Sequence, residues 1–198
     1  MEKRFKCWES AALLALCATL LLSVWAQSRQ ASLSGSLLRL HVIAVSDDPQ
    51  EQARKLRVRD AVLDYLAPRL ENAADREQAR SVLEAELEGI AEAAAGAAEG
   101  REVHVTLGEE WYPLREYEGF TLPAGRYESL RVVLGEGRGQ NWWCIVFPPL
   151  CLSAAEGERL QSALSREDYG IVTEEDAYLL RFRILELWGE LMKYCKSE

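Results

Sequence analysis

The chain of 198 residues has room for one domain and a short appendage, and its 48% apolar and 28% charged residues are typical of a globular protein. Its net charge of −9 argues against nucleic acid as a partner, because the phosphate backbone attracts basic surfaces.

Residues 1–26 differ in kind from the rest of the chain. Lys3, Arg4 and Lys6 precede an apolar run from Ala11 to Ala26. This pattern predicts a signal peptide, or an uncleaved signal anchor because the run is close to the roughly 17 residues that span a membrane. A buried core helix is the less favoured alternative. With the basic residues before the run, the remainder is expected outside the cytoplasm.

The next segment predicts a linker and the start of a single domain. Residues 27–36 are small and polar, which indicates a flexible linker, and the domain is expected over residues 37–198. Leu37 to Val45 is apolar on both faces of a strand and predicts a central strand. Asp48 is placed to cap a helix that continues to about Leu70.

The middle of the chain predicts one more helix and three more strands. Helical periodicity extends from Asp75 to Ala98, which suggests an antiparallel pair with the first helix. Alternation over residues 102–110 predicts a half-buried strand. Residues 111–125 are aromatic and interrupted by Pro and Gly, which predicts a long ordered loop or an irregular edge. Strands over 126–137 and 141–147 are joined by glycines and predict an antiparallel hairpin.

The C-terminal part predicts helices. Capping patterns at Ser153 and Thr173 indicate a short helix and then a long one. The order is therefore β-α-α-β-β-β-α. It predicts an α+β domain with a four-stranded, mostly antiparallel sheet and helices packed on it.

The glycines at 135, 137 and 139 do not form a phosphate-binding motif. Their spacing is G-x-G-x-G and a strand follows them, whereas dinucleotide sites use G-x-G-x-x-G before a helix. A loop that needs positive φ angles is the better explanation.

Catalytic and metal sites have little support. His41 and His104 lie on predicted strands and could meet with Asp47 or Asp48, but zinc sites need three or four ligands at compact spacing. Cys144 and His41 could form a Cys-His pair, which a disulfide would cancel. We therefore expect no catalytic residue, no metal and no cofactor.

The segment 141–151 combines tryptophans, prolines and cysteines. On a strand, Trp142 and Cys144 share one face and Trp143 the other, so one indole is exposed if a face lacks a helix, and neither is if both faces are covered. Outside the cytoplasm disulfides persist, so Cys144 and Cys151 are the leading candidate pair. Closing this short loop would stabilise the fold by roughly 2–3 kcal/mol.

Three features together resemble the stage II sporulation protein R family of endospore-forming bacteria. They are the N-terminal signal, "LLRLHVIAVSDDPQEQARKLRVRDAVLDYL" (Leu37–Leu66) and "YPLREYEGFTLPAGRYESLRVVLGEGRGQNWWCIVFPPLC" (Tyr112–Cys151). Two departures are Val45, where the family has Asn, and Ser129, where it has Ala.

The resemblance implies a signalling protein and not an enzyme. Family members are exported from the forespore into the space between the forespore and mother-cell membranes. There they trigger a membrane-embedded aspartic protease that processes pro-sigma-E. The best-matching segments suggest a partner-binding surface of His41, Tyr127, Arg131, Asn141, Trp142 and Trp143. The alternative is a secreted hydrolase that uses Cys144 or a His41/His104 metal site.

Overall fold

The computed structural model of the protein describes residues 2–117, 120–148 and 164–173. These residues form five helices and six strands in the described ranges. In chain order they are α1 (Glu2–Ser36), β1 (Leu38–Ile43), α2 (Pro49–Leu70), α3 (Arg76–Ala85), α4 (Leu87–Ala97), β2 (Val103–Tyr112), β3 (Arg115–Tyr117), β4 (Phe120–Leu122), β5 (Gly125–Leu134), β6 (Asn141–Phe147) and α5 (Arg166–Thr173).

Four strands form the main sheet in the order β2-β5-β1-β6. β2 is antiparallel to β5 and β6 is antiparallel to β1, whereas β1 and β5 are parallel. Every residue of β1 is buried, as expected for a strand that has a neighbour on both sides. The predicted α+β class, the mostly antiparallel sheet and the central first strand are confirmed.

The predicted hairpin between the last two strands is wrong. β5 and β6 are consecutive in the chain, but β1 lies between them. Residues 135–140 therefore cross over the end of β1, where the Gly139 N–H donates to the carbonyl of Ala44 at 2.9 Å. A Cβ on Gly139 would lie 2.4 Å from the backbone oxygen of Ser46, and Gly135 and Gly137 have φ angles of 54° and 62°. The glycines thus allow a close backbone crossing as well as positive φ.

The first predicted helix is confirmed and the second is divided. Asp48 caps α2 and accepts a hydrogen bond from the Gln50 N–H at 3.0 Å. The region predicted as one helix breaks at Glu86 into α3 and α4. The Glu86 carboxylate accepts hydrogen bonds from the Tyr65 hydroxyl (2.5 Å) and from Arg69 Nε (3.0 Å). Both donors lie on α2, so contacts with α2 hold the residue at which the helix breaks.

One face of the sheet is covered by α2, α3 and α4. The strands contribute alternate residues to this core, as the two-residue period of a strand requires. Its fully buried members include Leu38, Leu40, Val42, Leu130, Val132, Leu134, Val58, Val62, Leu83 and Ile90.

The described residues that cover the opposite face come from three elements. Here the end of α1, the β3–β4 hairpin and α5 pack over Tyr112, Tyr127 and Ile145. Their buried residues include Leu33, Leu37, Phe120, Leu122 and Val172. The region expected to be a loop or irregular edge thus contains the end of β2 and a small two-stranded sheet of its own.

The predicted linker is helical. α1 continues through residues 27–36, and only Leu37 separates it from β1. Its end is fixed to the domain by the buried Leu33 and by Ser32 Oγ, which donates to Asp168 Oδ2 at 2.9 Å. The segment Ala12–Ser36 is long and apolar enough to cross a membrane, and an N-terminal signal sequence would share these properties. The helices predicted from Ser153 and beyond Thr173 lie outside the described residues.

Candidate functional site

His41, which is itself only 5% exposed, is the centre of a polar cluster on the face of the sheet opposite α2, α3 and α4. Its Nδ1 lies 2.9 Å from both carboxylate oxygens of Glu110, and its Nε2 lies 2.9 Å from Asn141 Oδ1. His41 is on β1, Glu110 on β2 and Asn141 on β6, so three strands hold the imidazole. Both ring nitrogens contact protein groups, which fixes the orientation of the ring.

Trp143 forms the apolar wall of this cluster. It pairs with His41 across the β1–β6 ladder, and the two rings stack with centroids 5.3 Å apart. The guanidinium of Arg115, from the β3–β4 hairpin, lies 3.7 Å from the Trp143 ring centroid. Such a cation–π contact contributes about 0.5–2 kcal/mol. The hairpin and the sheet are therefore joined through one indole.

Arg131 is the exposed cation of the cluster. It pairs with His41 on β1 and with Thr106 on β2, and its Nε lies 3.5 Å from Glu110 Oε1. Its side chain is 46% exposed, whereas that of Glu110 is 24% exposed. Glu110 is thus shared between His41 and Arg131. We refer to His41, Glu110, Arg131, Asn141 and Trp143 as the His41 patch.

A buried arginine lies beside the patch on the same strand. Arg39 is fully buried, and its guanidinium carbon lies 3.8 Å from the ring centroid of Tyr112 and 4.9 Å from that of Tyr127. Its Nη2 donates to the hydroxyl of Tyr117 at 2.5 Å. Burial raises the pKa of all three tyrosines, so their hydroxyls are neutral and supply no negative charge to Arg39.

The structure divides the six residues predicted for partner binding. It brings His41, Arg131, Asn141 and Trp143 together in the patch. Tyr127 is only 1% exposed and donates its hydroxyl to the Pro123 carbonyl at 2.8 Å, so it supports the patch from below. Trp142 pairs with Val42, on the helix-covered face, and the Arg59 guanidinium lies 4.8 Å from its ring centroid.

Sequence reasoning did not single out Glu110, Arg39 or Arg115. Alternation along β2 places Glu110 on the same face as His104 and Thr106, so its side-chain direction could have been inferred. The contact between Glu110 and His41 could not have been inferred, because that contact depends on the strand order β2-β5-β1. Sequence reasoning also did not predict which indole is exposed. Among the tryptophans that the structure describes outside α1, the mostly exposed one is Trp111.

The residues of the two alternative sites, the Cys144–His41 pair and the His41/His104 metal site, do not lie together in the structure. Cys144 lies opposite Leu40, on the helix-covered face, whereas His41 points to the other face, so the sheet stands between them. His104 is two strands and two residues from His41, roughly 12 Å between Cα atoms. His104 Nε2 instead lies 3.2 Å from Glu102 Oε1. Within the described ranges, no three His, Cys, Asp or Glu side chains are grouped to hold a metal ion.

The comparisons with known proteins point to one family. A family model described as stage II sporulation protein R matches residues 34–157. The stage II sporulation protein R of Bacillus subtilis (strain 168) is 33% identical over 135 residues, which cover 66% of this chain. The aligned region spans 60% of that relative's length. No solved structure matches the chain.

Proposed function

Because the chain belongs to the stage II sporulation protein R family, we propose that it is an exported signal of endospore formation that activates a membrane-embedded aspartic protease. That protease processes pro-sigma-E in the mother cell. The protein acts by binding and not by catalysis.

One observation carries this proposal. The family match over residues 34–157 includes every strand of the main sheet and every residue of the His41 patch. The matched region therefore contains both a scaffold and a polar and aromatic patch in which Arg131 and Asn141 are exposed. Interfaces are enriched in Trp and Arg, and the patch contains Trp143 and Arg131.

The N-terminal helix supports export. Basic residues precede an apolar helix that fits a signal sequence or a membrane anchor. We propose the space between the forespore and mother-cell membranes as the compartment, since a protease embedded in the mother-cell membrane can be reached from there.

We propose that the His41 patch contacts the protease. The exposed Arg131 and Asn141 and the partly buried Trp143 make the contact, while the buried His41 and Tyr127 hold them in place. Hydrogen bonds from three strands keep the patch in one arrangement before binding, which lowers the entropy cost of association. Trp142 lies on the other face and is assigned a packing role against the helices.

A disulfide between Cys144 and Cys151 is part of the proposal. Cys144 is buried at the centre of β6, and Cys151 lies outside the described residues. The bond would fix the chain that leaves β6. Titration of thiols in the exported protein, with and without a reductant, tests it: equal thiol counts in both conditions would exclude the bond.

The experiment that tests the function is pro-sigma-E processing in non-sporulating cells that express the protease and its substrate. The protein is supplied with and without residues 1–26. We expect cleavage only with the exported form, which would establish both the signal role and the compartment.

Absence of cleavage with either form, when the exported protein is folded, would contradict the proposal. Metal analysis of that exported protein would then test the hydrolase alternative.

A further inference from the structure

Trp111 is an exposed indole at the end of β2. Its side chain is 64% exposed, and outside α1 the other exposed large apolar residue among those described is Leu56 on α2. An isolated exposed tryptophan needs no explanation by itself. The position of Trp111 does need one, because it precedes Tyr112, whose ladder partner Gly125 contacts α1, although the Trp111 side chain lies on the other face of β2.

The surroundings of Trp111 form one tip of the sheet. β2 ends at Tyr112, and the chain turns through the exposed Pro113 and the partly buried Leu114. Arg126 pairs with Trp111 across the β2–β5 ladder and is itself largely exposed. We refer to Trp111, Pro113, Leu114 and Arg126 as the β2 tip. It combines apolar side chains with one guanidinium.

α1 meets the sheet at the level of this tip. Gln30 packs so closely on Gly125 that a Cβ on Gly125 would lie 1.6 Å from Gln30 Nε2. Gly125 pairs with Tyr112, the neighbour of Trp111. The apolar run ends at Ala26, four residues before Gln30, which is about 6 Å along a helix.

The sheet runs away from this contact in the direction of α1. Gly125 is next to Gln30, and four residues later Ser129 pairs with Arg39, which follows the end of α1. β5 and the last turns of α1 therefore run side by side in the same direction, away from the β2 tip. β2 is antiparallel to β5, so it runs toward the tip and ends there.

From this geometry we infer that α1 spans the membrane and that the β2 tip lies in the lipid headgroup layer, with Trp111 as its anchor. The headgroup region is roughly 5–8 Å thick on each side of the hydrocarbon core. A tip about 6 Å beyond the apolar run lies within it. Tryptophan is enriched at this depth because its ring is apolar and its N–H is polar.

The inference goes beyond the signalling proposal and does not depend on it. It defines how the domain is held relative to the membrane, because α1 leads into the sheet without a flexible linker. The His41 patch lies at most roughly 20 Å from the β2 tip, since Arg131 is six strand residues beyond Gly125. The patch would thus stand at a fixed height above the lipid surface.

Fluorescence quenching of the full chain in phosphatidylcholine vesicles tests the position of Trp111. Vesicles carry a nitroxide on the headgroup, and the emission of Trp111 is obtained as the difference between the unchanged chain and Trp111→Phe. We expect this difference emission to be quenched by the labelled lipid and protected from iodide in the water. Quenching by iodide without quenching by the lipid would overturn the inference.

A second measurement uses a matched pair of substitutions. Trp111→Glu and Leu56→Glu each place a charge at an exposed apolar position, one at the tip and one on α2. We expect Trp111→Glu, and not Leu56→Glu, to make the segment around Tyr112 accessible to amide hydrogen exchange in vesicles. Equal exchange in both variants would contradict a lipid contact. An exported protein that has lost residues 1–26, determined by intact mass, would also overturn the inference.

Discussion

The guanidinium carbon of Arg39 lies 3.8 Å from the ring centroid of Tyr112, in a fully buried position. Among the residues that the structure describes, its Nε and Nη1 have no hydrogen-bond partner, and its Nη2 donates to a neutral hydroxyl. A buried cation that lacks a carboxylate is costly, and the aromatic rings offset only part of this cost.

We predict that Arg39→Met leaves the free energy of unfolding within about 1 kcal/mol of its original value or raises it, because an apolar chain of similar length removes the desolvation cost. Arg39→Ala should lower it by about 3 kcal/mol, because it leaves a cavity among the tyrosines. Urea unfolding of the detergent-solubilised chain measures both. A loss with Arg39→Met as large as with Arg39→Ala would show that the charge itself is required.

We predict that Arg131→Glu reduces pro-sigma-E processing about tenfold or more. The substitution reverses the exposed charge of the His41 patch and places it beside Glu110. The matched control is Arg57→Glu, because Arg57 is 49% exposed, is paired with Glu99 and lies on α2, on the other side of the sheet. Equal processing by both variants, at equal urea midpoints, would exclude the patch from the contact.

We predict that Gly139→Ala lowers the free energy of unfolding by about 1–3 kcal/mol. The added methyl would meet the backbone oxygen of Ser46, which cannot move without shifting the chain after β1. Gly96→Ala is the control: no atom lies within 4 Å of its Cβ position on α4, so it should stabilise by about 0.5–1 kcal/mol. Thermal unfolding of the two variants gives the comparison, and a neutral Gly139→Ala would contradict the tight crossing.

We predict that protonation of Glu51 contributes to the fall in the free energy of unfolding at acid pH. Hydrogen bonds from Arg54 and Arg101 lower its pKa from 4.5 to about 2. A depressed pKa in the folded state gives stability that is present above pH 4.5 and is lost as the pH falls toward 2.

The measurement for Glu51 is the free energy of unfolding against pH for the original chain and for Glu51→Gln. The gap between them should be largest above pH 4.5 and should close toward pH 2. A gap that stays constant over this range would show that the two arginines do not stabilise the carboxylate.

Local sequence signals predicted the elements that depend on neighbouring residues. The cap at Asp48 and the stripe of α2 set that helix, because both arise within one or two turns. The break at Glu86 was missed, because it depends on a hydrogen bond from Tyr65 on another helix. Likewise, residues 27–36 have linker composition but are held as a helix through Leu33 and Asp168.

The sequence by itself determined the α+β class, the buried first strand, the opposite orientation of the two tryptophans on β6 and the family resemblance, since periodicity and motif are properties of contiguous residues. Only the tertiary structure decided that β1 lies between β5 and β6 and that Glu110 reaches His41. Strand pairing is decided by the burial of apolar area across the whole sheet. The loop that contains Gly139 could connect β5 to β6 either as a hairpin or by crossing the end of β1. The energy that selects the crossing comes from contacts of β1 that are remote in sequence.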